Sequence, residues 1–390
     1  MKKTFLFGIV LSCLIVISAC LIYVPAHDGR YPPPGEPKAY DPPAQTYRGA
    51  SRVGIDMFYD ELAPHGYWVE HPSHGYIWTP RYVAFNWRPY TNGQWVWTDY
   101  GWTWLSHYDW GWAPFHYGRW GWDDSLGWYW VPDALWGPAW VTWRRGDMYF
   151  GWAPLPPQVR FQAGRGITSL PFRLHDSAWV FVESRYFPSS RINRYVLPWE
   201  RNLRIINITV VETHITMRDR RIYNRGLDID LVRRASRQRI SKYELVDGRN
   251  PGRSKIRLGE IEAYRPAVEA RDAARPKSVI TSGEARERIS RSRATGRPGS
   301  TSSGKVRIQD IQKREERLLE ESQQKEVTRI KKRREEEQKT AETAQKKQEL
   351  EKEHAEEIKK IRQTHSQERT RLKKRHEAEA KKVKKTKIKK

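Results

Sequence analysis

Seventeen of the chain's 19 tryptophans lie between Trp68 and Trp152, and their spacing constrains the fold more than any other feature. Five pairs are spaced i, i+2: Trp95/Trp97, Trp102/Trp104, Trp110/Trp112, Trp120/Trp122 and Trp128/Trp130. A strand sends residues two apart to the same face, so the spacing predicts strands that each aim two indoles one way. The pairs also oppose one another around turns. A turn at Thr98-Asp99-Tyr100-Gly101 sets Trp97 opposite Trp102 and Trp95 opposite Trp104. A turn over Asp123 to Gly127 sets Trp122 opposite Trp128 and Trp120 opposite Trp130. Cross-strand aromatic pairs are among the stronger side-chain pairs of an antiparallel ladder.

The unit recurs. Gly66, Gly93, Gly118 and Gly137 each precede a tryptophan by two or three residues, and Gly75, Gly101, Gly127 and Gly146 each precede an aromatic residue by three. Regular glycine turn signals predict four short-loop hairpins, about eight strands, in a sheet or barrel. Pro80, Pro89, Pro114, Pro132 and Pro154 suit the bends between hairpins. The indoles have two possible uses. They are the core, or a subset forms an exposed strip that stacks sugar rings, with Trp95, Trp97, Trp102, Trp104, Trp120, Trp122, Trp128 and Trp130 as candidates.

Several longer runs then resemble one family. These are Phe58 to Trp68, Val83 to Tyr90, Trp97 to Trp104, Trp136 to Trp140, Gly151 to Pro157, Trp179 to Val182 and Arg221 to Gly226. Together they resemble, over roughly residues 50–265, a bacterial family of exported, Trp/Tyr-rich envelope proteins known only as domain of unknown function 6600. The resemblance implies an envelope location and transfers no catalytic residue.

The N-terminus agrees with export. Lys2 and Lys3 precede an apolar run from Phe5, which ends in Ile17-Ser18-Ala19-Cys20. That pattern resembles a bacterial lipoprotein signal (1–20), with Cys20 lipidated at the mature N-terminus. The alternative is an uncleaved anchor, because Phe5 to Val24 is long enough to span a bilayer. Either places the chain on a membrane, facing the periplasm or exterior, and Leu21 favours the outer membrane. Cys13 and Cys20 are the only cysteines, so no disulfide or thiol chemistry is expected in the mature chain. The Pro- and Tyr-rich segment 21–50 reads as an extended tether.

Charge is segregated along the chain. Residues 51–160 carry seven arginines and ten acids, net −3, whereas 161–270 are net +9 and 305–390 net +12. Nucleic-acid binding would interleave aromatic and basic residues on one surface. Here they fall on different segments of an exported chain, so nucleic acid is not the expected partner. Anionic envelope polymer or polysaccharide is, alongside the membrane itself.

Beyond the Trp-rich domain (51–160), residues 161–266 read as a second β-rich unit that packs on or extends the first. Its expected strands are Trp179 to Val182, Ile205 to Thr216, Lys242 to Val246 and Ile256 to Tyr264, with a short helix over Leu231 to Arg239. Residues 267–304, poor in apolar side chains, read as a disordered linker. Residues 305–390 read as one long basic helix, about 120 Å over 305–385, either a coiled coil that self-associates or a lone charged helix. Its period is 11: Leu350, Ile361, Leu372 and Val383 form one stripe, and Ile308, Leu319, Ile330 and Ala341 another, out of phase. His354, His365 and His376 follow the same period, either as pH-sensitive seam residues or as tolerated half-polar ones.

Chemistry leaves few marks. Asp99, Asp109, Asp123, Asp124, Asp133 and Asp147 are candidates for a glycosidase carboxylate pair, but most fall at hairpin tips, where aspartate stabilises turns. His65, His71 and His74 are more simply solvated turn residues than metal ligands. No nucleotide-loop, nucleophile-elbow or two-histidine zinc motif occurs, and no cofactor is expected. The expected architecture is a mainly β N-terminal region of antiparallel Trp-rich hairpins followed by a long C-terminal helix. The expected role is non-enzymatic binding in the envelope. A carbohydrate-active enzyme and a mechanical spacer are the alternatives.

Overall fold

Each of the four Trp-rich repeats folds into an antiparallel hairpin. The structure is a computed structural model that describes residues 52–388, apart from 82, 84–85, 125, 160, 162–165, 168–169, 171, 219–220, 270–273 and 296–307. The expected signal segment, Cys20 and the tether lie outside the described residues. The hairpins are β2 (Gly66–His71) with β3 (Gly75–Pro80), β4 (Gly93–Thr98) with β5 (Gly101–Ser106), β6 (Arg119–Asp123) with β7 (Gly127–Val131), and β8 (Val141–Arg145) with β9 (Tyr149–Pro154). The first strand, β1 (Arg52–Gly54), and a short helix, α1 (Asp56–Leu62), precede them.

The expected register holds. Trp95 pairs with Trp104 and Trp97 with Trp102 across β4–β5; Trp120 pairs with Trp130 and Trp122 with Trp128 across β6–β7. Trp68/Trp78 and Trp143/Trp152 are the equivalent pairs in the outer two hairpins. The repeated first glycine has a packing reason. A Cβ on Gly93 would stand 2.5 Å from the Trp104 ring, and one on Gly66 would stand 2.3 Å from Trp78, so the partner strand's indole lies across bare backbone. Gly101 turns at φ +91°, where a Cβ would also strike the Asn224 carbonyl at 2.1 Å.

One Trp pair departs from the strand expectation. Trp110 and Trp112 lie in a 3-10 turn, Asp109–Trp112. Gly111 between them packs against Ser106, and Ser106 Oγ accepts the Tyr108 N–H at 3.0 Å. The turn lets Trp110 stack on Tyr108 at 4.4 Å and on Phe115 at 5.5 Å.

The region after residue 160 extends the hairpin sheets. β10 (Val180–Glu183) adds to β9, and β11 (Val210–Glu212) adds to β8. β12 (Ile215–Arg218) and β13 (Arg221–Asn224) add beside β5. β14 (Lys242–Asp247) adds beside β4, followed outward by β16 (Glu260–Ala263) and β15 (Lys255–Arg257). A third sheet, in order β2-β3-β7-β6, holds the other two hairpins. Phe187 shows that the core is shared, with its ring 4.9 Å from Trp102, 5.9 Å from Trp143 and 6.0 Å from Trp152.

The long strand expected over Ile205 to Thr216 is instead a helix, α2 (Asn202–Asn207), followed by β11 and β12. Asn202 Nδ2 donates to the Asp176 and Trp179 carbonyls, both at 2.7 Å, which pins the first turn, and Ile205 and Ile206 bury on its inner side. The expected short helix is α3 (Ile229–Ser236), capped by Asp228, which accepts the Leu231 N–H at 2.8 Å.

The expected disordered linker is partly ordered. β17 (Ala267–Glu269) runs parallel to β1, and α4 (Ser282–Thr295) packs on the outer side of β2–β3. α4 opens with a reciprocal capping box: Thr281 Oγ1 accepts the Glu284 N–H at 3.2 Å, and Glu284 accepts the Thr281 N–H at 2.9 Å. Its few apolar residues fall at helical spacing, so Ala285 and Ile289 bury together against Val69, Ile77 and Leu126.

The expected single rod is a helical hairpin. α5 (Ile308–Thr340) and α6 (Ala344–Ile388), about 50 and 68 Å long at 1.5 Å per residue, are separated by a break at 341–343 and return antiparallel. Gln312 meets Glu379, Glu315 meets His376, Gln323 meets Glu368, Glu326 meets His365 and Glu337 meets His354. Each step up α5 is matched by an equal step down α6. That register sets Leu319 level with Leu372 and Ile330 level with Ile361, all four buried. The two out-of-phase stripes are therefore the two sides of one seam within the chain. No helix among the described residues is long and apolar enough to cross a membrane.

Candidate functional site: the seam between body and helical hairpin

The eight candidate stacking tryptophans do not form an exposed strip. Trp95, Trp102, Trp104, Trp120, Trp128 and Trp130 are buried, Trp97 is partly buried, and Trp122 alone is exposed, at 45%. The physical reason is that the indoles share one core and are walled in by one another and by neighbouring aromatic rings. Trp95, for example, lies 4.9 Å from Trp104, 4.6 Å from Trp143 and 5.6 Å from Trp152. Several indole N–H groups of the core staple loops, whereas those of Trp95 and Trp104 are buried with no hydrogen-bond partner among the described residues. Trp78 donates to the Leu62 carbonyl, Trp102 to Leu227, Trp130 to Tyr117 and Trp152 to Tyr90, at 2.7–3.0 Å. Trp122 at its hairpin tip donates instead to Asp124 at 3.1 Å and sets its ring edge-on to Trp128 at 5.5 Å.

Each candidate carboxylate has a structural partner. Asp99 pairs with Lys242 at 2.5 Å, Asp109 with Arg253 at 2.7 Å and Asp147 with Arg329 at 2.5 Å. Asp123 accepts the Leu126 N–H at 2.8 Å and Asp133 the Leu135 N–H at 3.0 Å. His71 and His74 stack at 4.8 Å beside Tyr129, and His71 Nδ1 accepts the Ser73 N–H at 3.1 Å. Burial lowers the pKa of His71, with Asp123 opposing, and burial likewise lowers that of His65.

The densest chemistry lies where α5 and α6 dock on the β body, and composition did not single it out. Arg201, at 0% exposure, holds both oxygens of Glu368 at 3.0–3.1 Å and also binds Glu326. Arg204 holds the other Glu326 oxygen at 2.7 Å. One level along, Arg375 joins Glu200 of the body at 2.6 Å to Glu315 at 3.0 Å and Glu379 at 2.9 Å. Asn86 also reaches Glu315 at 2.6 Å, and Lys325 reaches Glu183 at 2.7 Å. A buried arginine keeps its charge, so its lost hydration has to be compensated, here by carboxylates. Burial alone would lower the pKa of Arg201, but the charges of Glu368 and Glu326 outweigh it and raise it. Burial would raise Glu326, yet hydrogen bonds from His365 and Arg201 hold it at about 2.

The sequence signal for this seam was present but unassembled. The 11-residue period that placed His354, His365 and His376 also places Glu337, Glu326 and Glu315. The three pairs lie 2.7, 3.1 and 2.9 Å apart. Arg201 carried no signal, because it sits outside the repeat and its partners are 125 and 167 residues away.

Compared with known proteins, residues 59–159 match the model of a family of unknown function (DUF6600). The match spans the four Trp hairpins and stops short of the later sheets and the helices, a narrower stretch than the resemblance over residues 50–265. No curated protein and no solved structure matches the chain.

Proposed function

We propose that this chain, whose hairpin domain belongs with a family of unassigned activity, is a non-enzymatic, membrane-tethered envelope protein. Its β body is a rigid mount, and its basic helical hairpin is the part that contacts anionic envelope polymer. The carrying observation is how the hairpin distributes its charges. Glu315, Glu326, Glu368 and Glu379 are buried in the seam and against the body. Lys331, Lys332, Lys359, Lys360, Lys373 and Lys374 remain exposed. The outward surface is therefore more basic than the acids along the sequence suggest, and a polymer bearing phosphates or carboxylates would meet it favourably. The enclosure of the tryptophans favours this reading over sugar stacking as the main contact.

Two measurements test it. The full chain in detergent should retain purified anionic envelope polymer at low salt and release it steeply as salt rises, because exposed charge is screened over about 8 Å at physiological ionic strength. Absence of binding at low salt leaves the basic surface a solvated one and favours the spacer reading. Metabolic labelling with fatty acid should mark the mature protein and fail in Cys20→Ser; an unlabelled wild type that retains residues 1–19 has an uncleaved anchor instead.

A further inference from the structure

The three seam histidines repeat in sequence but differ in surroundings. His365 faces Glu326, which Arg201 and Arg204 already hold, while Arg201 also holds Glu368. Two arginines balance two carboxylates there in a nearly closed site. His354 faces Glu337 near the turn of the hairpin, where Arg333 bridges Glu337 and Glu357 and where Lys331, Arg334, Lys339, Glu335 and Glu351 share the surrounding groove.

His376 stands in an excess of acid. Its Nε2 lies 2.9 Å from Glu315 and its Nδ1 3.3 Å from Glu316, both on α5. Glu379 and Arg375 are its charged neighbours on α6, and Arg375 carries the body's Glu200. From the body, the buried guanidinium of Arg88 also acts on Glu315 and Glu200, so four carboxylates face two guanidiniums and acid remains in excess. A neutral imidazole has one N–H donor and one acceptor, so it cannot satisfy a carboxylate at each nitrogen; the imidazolium has two donors and can. The same layer is where Asn86 and Glu200 fasten the hairpin to the body.

We propose that His376 is a proton-operated clasp: its imidazolium ties Glu315 and Glu316 of α5 to α6 at the point of docking, so the hairpin is held firmly in mildly acidic surroundings and loosens as pH rises. The titration tendencies agree. Burial alone would lower the His376 pKa, but the hydrogen bond to Glu315 and its charge outweigh burial and raise it. Burial would raise Glu315, but the hydrogen bond from His376 and the charge of Arg375 hold it below the ordinary value. A folded-state pKa above the unfolded one gives a contribution that is complete below the unfolded pKa and lost as pH climbs through the folded one. Each unit of separation corresponds to about tenfold in the docking equilibrium.

Amide hydrogen exchange on the full chain in detergent, at pH 5.5, 7 and 8.5 and corrected for intrinsic rates, reads this directly. Protection over the first turns of α5 and over residues 365–381 should fall several-fold with rising pH, while β4 and β5 stay constant. His376→Gln keeps a neutral donor group and cannot be protonated, so its profile should be flat; His365→Gln should keep the wild-type slope. A flat wild-type profile overturns the clasp, as does a wild-type slope in His376→Gln or a lost slope in His365→Gln. Should His376→Gln fail to fold, the imidazole titration of wild-type His376 followed by NMR decides: a pKa at or below that of a free histidine overturns it.

Discussion

A tryptophan in this fold is defined by what closes over it, and period-two spacing does not report that. Trp104 and Trp122 have the same strand environment in sequence, each two residues from another indole. Trp104 is 0% exposed, between Trp95 and Phe115, whereas Trp122 overhangs the tip of its hairpin. Trp104→Ala should therefore cost about 3–5 kcal/mol in chemical denaturation through lost burial and a cavity, and Trp122→Ala less than about 1 kcal/mol. Asn224 is a second residue-scale test. Its amide donates to the Ala139 and Val141 carbonyls at 3.0 and 3.1 Å and accepts the Trp143 indole N–H at 2.7 Å, with no exposure. Asn224→Ala leaves three buried groups unpaired and should cost about 3 kcal/mol or more. The sequence showed only a turn at Asn224-Arg225-Gly226, because the groups Asn224 satisfies are more than 80 residues away.

At the scale of elements, local patterns were legible wherever both partners of a contact lie within one repeat. The hairpin registers follow from glycine and indole spacing alone, and so does the seam of α5 and α6 once its two 11-residue stripes are set antiparallel. The stripes were visible; the break at 341–343 was not, because Ala341-Glu342-Thr343 carries neither proline nor glycine. Composition hid α4 for the opposite reason, since two apolar residues among arginines and serines suffice when they are four apart and the helix is capped. Thr281→Ala should destabilise α4 by about 1 kcal/mol, seen as faster amide exchange over residues 282–291. Ile289→Asp should release α4 from β2–β3 without unfolding the Trp hairpins, seen as retained aromatic circular dichroism alongside protease cleavage near residue 289.

For the whole molecule, docking of the hairpin depends on charges that no single segment contains. Arg201→Leu would leave Glu368 without its guanidinium and Glu326 with Arg204 as its remaining arginine. Breaking a buried pair in this way costs about 3–5 kcal/mol, so exchange over α5 and α6 should accelerate strongly while β4 and β5 keep their protection. Acid should act from the other side of the pH range. Glu326 titrates at about 2 in the folded chain, against 4.5 when free. Its contribution, on the order of 3 kcal/mol, is present above the free value and lost as pH falls from 4.5 towards 2. A proteolysis series against pH should therefore find α5 and α6 best protected at mildly acidic pH and cleaved faster on both sides. The parallel pairing of β1 with β17 has a mechanical consequence. The chain enters the body at Arg52 and leaves it at Glu269 on adjacent strands. Were the N-terminus anchored and the arm bound to polymer as proposed, tension between them, once α4 and the hairpin yield, would run through that ladder in shear. The tryptophan core hangs beside this load path rather than along it, so the body could bear strain with its hairpins undisturbed.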